Sequence, residues 1–209
     1  MSEKTKIAVF VSGGGTNLQA LIDAANAGAL PSGEIVLVLA SSPKAYALER
    51  AAKAGIPSAV VSAKTEGSQA AAEEKMNALL EAYSIDMIVL AGYMSILSAD
   101  FTARFPNRIL NVHPSLIPSF CGEGFYGLRV HEAALDYGVK VTGATVHFVN
   151  EIPDGGEILL QQAVEVLPGD TPEVLQRRVM EQAEWKLLPR AAELVSKQLL
   201  EEHSHVENV

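Results

Sequence analysis

Ile7-Ala-Val-Phe-Val-Ser-Gly-Gly-Gly-Thr-Asn17 is the stretch from which the fold is read. Ile7–Val11 is wholly apolar, as a strand buried on both faces should be. Ser12–Asn17 breaks it with three consecutive glycines. Leu18, Leu21, Ile22 and Ala25 then recur at helical spacing, and Gly28 closes that helix. The unit is strand, glycine loop, helix. Free backbone N–H groups at such a helix start form an anion site, most often for phosphate, to which Thr16 and Asn17 can add side-chain donors. A tight turn without a ligand is the alternative reading.

The same alternation continues outward. Ile35–Leu39, Ala59–Val61 and Met87–Ala91 read as strands. Helical faces at Ala47, Leu48, Ala51 and Ala52, and at Met76, Leu79, Leu80 and Tyr83, separate them. Strand–helix repetition with short loops predicts an α/β fold with a doubly wound, mostly parallel sheet. Ile109–Val112 is a fifth strand, residues 114–127 a long loop, and Val130–Tyr137 a helix. Val141–Val149 and Ile158–Val166 predict a C-terminal antiparallel hairpin. Thr171-Pro172-Glu173 opens a long C-terminal helix towards Leu200, with a kink expected at Pro189.

Composition bounds the function. The chain has 209 residues, 48% hydrophobic, and a net charge of −9. Such an acidic chain is a poor partner for nucleic acid. No apolar run reaches the roughly 18 residues of a membrane span, and no signal-peptide pattern opens the chain. The single Cys121 excludes an internal disulfide and a multi-cysteine metal site. A cytoplasmic protein without nucleic-acid or membrane partners is expected.

The glycine loop is not a Walker motif, because it ends Gly15-Thr16-Asn17. Leu18 stands where a dinucleotide fingerprint needs glycine, and Ala40-Ser41-Ser42 where it needs an acid, so NAD is disfavoured. Asn111 and His113 share one face of a strand end, held extended by Pro114. There an amide can stabilise an oxyanion and an imidazole can move a proton; a structural histidine is the alternative. Thr145 and His147 share a face of the hairpin. Asp154, between Pro153 and two glycines, can approach His113 and raise its pKa, or simply cap a turn. No Gly-x-Ser-x-Gly elbow is present, and His131-Glu132 lacks the second histidine of a zinc protease. Cys121, His203, His205 and Trp185 read as bystanders.

Ser12-Gly-Gly-Gly-Thr-Asn17, Ala91-Gly-Tyr-Met-Ser-Ile-Leu97, Asn111-Val-His-Pro-Ser115, Gly143-Ala-Thr-Val-His-Phe148 and Asp154-Gly-Gly156, in this order, closely resemble the phosphoribosylglycinamide formyltransferase family. The likeness runs from Ile7 to about Pro189. It implies a Rossmann-like formyltransferase fold. The implied reaction, in de novo purine biosynthesis, moves a formyl group from 10-formyltetrahydrofolate, a co-substrate, to the amine of glycinamide ribonucleotide, without a metal. By resemblance, Asn111, His113 and Asp154 are catalytic, and Asp154 keeps His113 charged. Gly15, Thr16, Asn17 and Glu184 hold the ribonucleotide. Met94, Ser95, Ile96, Leu97, Asn111, Asn150, Glu151, Ile152 and Asp154 hold the folate.

The sequence departs from many members at Ser95 and Gln69, where a basic residue is common, which leaves the folate glutamate tail without its usual partners. Cys121–Gly127 is longer than the usual Pro-Gly, and Trp185 replaces a common His. A formyltetrahydrofolate hydrolase is the first alternative; with the first strand at Ile7, the N-terminal regulatory domain usual in such enzymes is not expected. Methionyl-tRNA formyltransferase would need a basic C-terminal domain. A non-catalytic nucleotide-binding module would have no use for the catalytic trio. One domain over 1–209 is expected, as monomer or homodimer. Its phosphate-binding half is 1–100, its catalytic and folate-binding half 101–200, and a frayed polar end 201–209.

Overall fold

Among the described residues, seven strands build one sheet in the order β3-β2-β1-β4-β5-β6-β7. The structure is a computed structural model and describes residues 4–206. The strands are β1 (Thr5–Val11), β2 (Gly33–Ala40), β3 (Ser58–Val60), β4 (Met87–Leu90), β5 (Ile109–His113), β6 (Val141–Phe148) and β7 (Ile158–Glu165). From β3 through β5 all neighbours are parallel; β6 runs antiparallel to β5, and β7 to β6. The expected doubly wound sheet and antiparallel hairpin are both present.

The helices cover both faces. They are α1 (Thr16–Asn26), α2 (Ala47–Lys53), α3 (Ala63–Glu66), α4 (Gln69–Ala82), α5 (Ala99–Thr102), α6 (Leu128–Tyr137), α7 (Pro172–Val179) and α8 (Trp185–Val206). Alternation along β1 divides the core. Ile7, Val9 and Val11 pack with α1, α2 and α8, whereas Ala8 and Phe10 pack with α4 and α5. Each face therefore removes one residue set of a fully apolar strand from water. That explains why the strand reads as continuous rather than alternating.

Two short helices escape the sequence reading. α3 and α5 are single turns, capped by the hydroxyls of Ser62 and Ser98. Pro189, where a kink is expected, lies inside α8, and a further irregularity lies upstream in a π-helical turn over Met180–Glu184. Pro189 lacks an N–H for the carbonyl of Trp185 and crowds it. The frayed end expected from Glu201 is helical through Val206, and 207–209 lie outside the described residues. The side chain of His205 is likewise outside them. Among the described residues no helix is long and apolar enough to cross a membrane.

The order of the sheet reverses between β1 and β4. In open α/β sheets the loops beyond such a switch point form the ligand crevice. Here those loops are Ser12–Asn17 and Ala91–Leu97, tied together where Met94 N–H donates to Ser12 Oγ at 2.8 Å.

Candidate active site

A cleft of about 920 Å³ opens at this edge. Asn17, Met94, Ser95, Ile96, Asn111, His113, Asp154 and Glu184 all line it. Residues far apart in the chain thus meet as expected. Others do not reach it. Leu97 is buried in the core against α4 and α5 rather than facing the cleft. Asn150, Glu151 and Ile152 lie on the adjoining loop outside the cleft wall, where Asn150 Oδ1 accepts from Ile152 N–H at 2.9 Å.

The glycine loop presents backbone. Gly15 precedes α1 with φ 69°, and a Cβ there would stand 2.6 Å from Ala47 Cβ, so only glycine fits. α1 has no side-chain cap and no acid in its first turn, which leaves its N–H groups for an anion. The side chains point elsewhere than expected. Asn17 Nδ2 donates to Glu184 Oε2 at 2.8 Å, and Thr16 Oγ1 faces the Met180 sulfur at 3.9 Å. Phosphate donors from Thr16 and Asn17 side chains are thus not the arrangement found.

Glu184 projects from the π turn into the cleft and is almost fully buried. Burial pushes its pKa from 4.5 to about 7, against the opposing hydrogen bond from Asn17.

The second cluster is assembled by β5, β6 and the loop after β6. His113 Nδ1 lies 3.4 Å from Asp154 Oδ2, and His113 Nε2 lies 2.8 Å from the carbonyl of Phe120. A carbonyl only accepts, so Nε2 carries the proton there. Asp154 also receives Gly122 N–H at 2.9 Å and stands 3.5 Å from both His147 Nε2 and Asn111 Nδ2. Its backbone sits at φ 54°, a left-handed turn that Asp tolerates. A Cβ on Gly156 would collide with the Phe148 carbonyl, so this loop folds back only with glycine there.

Burial would raise Asp154, but His147, His113 and the Gly122 N–H together bring it below its usual range. For His113 the balance differs from expectation. Burial lowers its pKa more than the Asp154 charge and the Phe120 bond raise it, so the net shift is downward. The expectation of a His113 kept charged by Asp154 is corrected: burial holds the free imidazole neutral near pH 7.

Sequence reasoning missed part of the wall. Sequence spacing pairs His147 only with Thr145, yet it touches both Asn111 and Asp154. His131 also lines the cleft, fully buried with neither ring nitrogen paired; burial and the nearby His113 take its pKa to about 4. The Phe120 carbonyl and Gly122 N–H carry no sequence signal at all, because any residue supplies them. Gln69 Nε2 reaches the Ile96 carbonyl at 2.7 Å, which places this departure beside Ser95.

A doubly wound sheet with a phosphate-type loop on one side of the switch point, and an Asn–His–Asp cluster on the other, defines a nucleotide-directed group-transfer enzyme class. The chain belongs to the formyl transferase family, whose model matches residues 5–192. It is 43% identical over 184 residues to the phosphoribosylglycinamide formyltransferase of Haemophilus influenzae, covering 88% of this chain and 84% of that one. It is 45% identical to the trifunctional purine biosynthetic protein adenosine-3 of Bos taurus, covering 93% of this chain but only 18% of that protein. A solved glycinamide ribonucleotide transformylase 1 from Symbiobacterium toebii superposes with a TM-score of 0.87 at 40% identity, covering 95% of this chain and 90% of that one.

Proposed function

We propose that the protein transfers a formyl group from 10-formyltetrahydrofolate to the amine of glycinamide ribonucleotide, giving formylglycinamide ribonucleotide and tetrahydrofolate. The observation that carries this reading is the meeting of Asn111, His113 and Asp154 in the cleft that also holds Asn17 and Glu184. The relatives whose names state this activity support it.

The ribonucleotide phosphate sits on the backbone N–H groups at Gly15, Thr16 and Asn17. Glu184 accepts from the ribose hydroxyls. The folate lies against Met94, Ser95 and Ile96, with Pro153 and Asp154 beside the pterin. The buried Leu97 supports that wall from behind.

The substrate amine attacks the formyl carbon, and a C–N bond forms as the carbonyl oxygen becomes an oxyanion. An Asn111 N–H stabilises that oxygen; such a donor is worth about 10²–10³ in rate. Neutral His113 has its proton on Nε2, so Nδ1 is the basic nitrogen, facing Asp154. The proton leaving the amine enters this pair through water. The cation that forms on His113 is stabilised by the ionised Asp154. The bond to N10 of the folate then breaks, and N10 takes the proton.

The test is folate release from a 10-formyl folate, measured with and without glycinamide ribonucleotide. Release that requires the ribonucleotide is expected. Release without it would identify the hydrolase instead, and no release would refute both.

A further inference from the structure

α2 packs against the glycine loop and holds two successive carbonyls of it. Ala47 N–H donates to the Gly13 carbonyl at 3.1 Å, and Arg50 Nε–H donates to the Gly14 carbonyl at 2.8 Å. Across a trans peptide the N–H points opposite to the C=O. The N–H groups of Gly14 and Gly15 are therefore turned away from these α2 donors. Gly13 and Gly14 are exposed, with room for a ligand beside them.

Arg50 is itself fixed. Its Nη1 donates to Gln19 Oε1 at 2.9 Å, and its guanidinium carbon lies 5.2 Å from the centre of the Tyr46 ring. Gln19 Nε2 in turn donates to Asp23 Oδ1 at 2.9 Å. A carboxylate accepts and a guanidinium only donates, so the Gln19 amide is held in one orientation. Asp23, Gln19, Arg50 and the Gly14 carbonyl thus form one chain of hydrogen bonds from α1 through α2 to the loop.

The ligand side is marked independently. Asn17, in the first turn of α1, lines the cleft and is 8% exposed, and its Oδ1 has no hydrogen-bond partner. A buried, unpaired oxygen beside free N–H groups suits a ligand that brings both acceptors and donors, as a phosphate ester with hydroxyls does.

We infer that Arg50 is a positioning residue for the ribonucleotide: it holds the Gly14 carbonyl against α2 and so aims the Gly15 N–H at the phosphate. The inference rests on the phosphate placement in the transfer reading above. Freed from Arg50, the peptide between two glycines can flip, and its carbonyl would then face the phosphate and repel it. Arg50 acts through the loop and does not touch the substrate.

Two substitutions separate the hydrogen bond from the charge. Arg50→Gln places an amide nitrogen at the chain position of Nε and removes the charge; Arg50→Met places a methyl group there. Arg50→Met should raise the ribonucleotide KM by about 10–30-fold, the worth of one backbone hydrogen bond to an anion. Its kcat and folate KM should stay within about threefold of wild type, a split that general loss of structure would not give. Arg50→Gln should keep the ribonucleotide KM within about fivefold of wild type. An unchanged ribonucleotide KM in Arg50→Met overturns the inference, and so does an equal loss in Arg50→Gln, which would assign the effect to charge. Arg50→Ala carries the same prediction as Arg50→Met if the latter fails to fold. Amide NMR of ¹⁵N-glycine-labelled protein reads the loop without turnover. On addition of inorganic phosphate the Gly15 resonance should move in wild type and Arg50→Gln, and much less in Arg50→Met. Absence of wild-type turnover overturns the transfer reading; the positioning role then stands if this Gly15 pattern is seen and falls if it is not.

Discussion

Asp154 and Glu184 are both carboxylates, both mostly buried, and both face the same cleft, yet they are driven in opposite directions. Asp154 sits on a left-handed turn and is met by His113, His147, Asn111 and the Gly122 N–H. Glu184 sits on a π turn and is met by Asn17. Desolvation acts against the charge of each; the polar and titratable groups around Asp154 outweigh it, whereas the bond from Asn17 to Glu184 does not. Asp154 remains ionised where a cation must form. Glu184, near pH 7, lies close to its own titration point. The comparison separates a region built for proton transfer from one built for recognition.

The largest expected effect breaks the first region. Asp154→Asn keeps the shape but removes the charge that balances a protonated His113. A fall in kcat of ~10³-fold is expected, within the range of general acid–base contributions, with ribonucleotide affinity kept within about threefold. Steady-state kinetics and ribonucleotide titration together check this. Breaking the second region should do the reverse. Glu184→Gln should raise the ribonucleotide KM by about 3–10-fold, the worth of a hydrogen bond to an uncharged group, while kcat changes by less than about threefold.

Stability against pH sharpens the same contrast without substrate. Below pH 4.5 Glu184 is protonated in folded and unfolded chains alike; between 4.5 and about 7 only the folded chain retains the proton. Its stabilising contribution therefore disappears as pH rises through about 7, by an amount on the order of 3 kcal/mol. Asp154 has the reverse sign: its contribution is present above its ordinary 3.8 and is lost as pH falls. Denaturant midpoints of wild type and Glu184→Gln, which mimics the protonated acid, should lie close together at pH 5 and diverge by pH 8, where only wild type carries the buried charge. Parallel curves would refute the buried, uncharged Glu184. The smallest effect is expected at the rim. Ser95→Arg should lower the KM for a polyglutamylated folate by about two- to fivefold, the worth of an exposed ion pair, and the gain should vanish at high salt.

The glycine loop of the recognition region is legible in the sequence, because its groups are neighbours, whereas Glu184 reaches Asn17 only through the fold. The apolar run of β1, the glycines and the first turn of α1 are contiguous, and local spacing suffices to read them. Asn111 and His113 are also local, two positions apart on an extended strand. What local spacing cannot give is distance across the fold. His147 meets Asn111 through strand register, and Phe120 meets His113 through a loop whose backbone leaves no trace in residue type. The downward His113 shift is hidden from the sequence for a related reason. A sequence names the charge that might help a histidine, but not the depth of burial that opposes it. Leu97 shows the converse: its motif marks it for the folate, whereas packing against α4 and α5 takes it into the core.

The central claim is that the formyl carbon ends on the ribonucleotide amine. A donor carrying a ¹³C formyl group and an acceptor carrying ¹⁵N at that amine would reveal the bond by NMR. A one-bond ¹³C–¹⁵N coupling growing in step with tetrahydrofolate is the predicted result. Accumulation of free ¹³C-formate without that coupling would contradict the account.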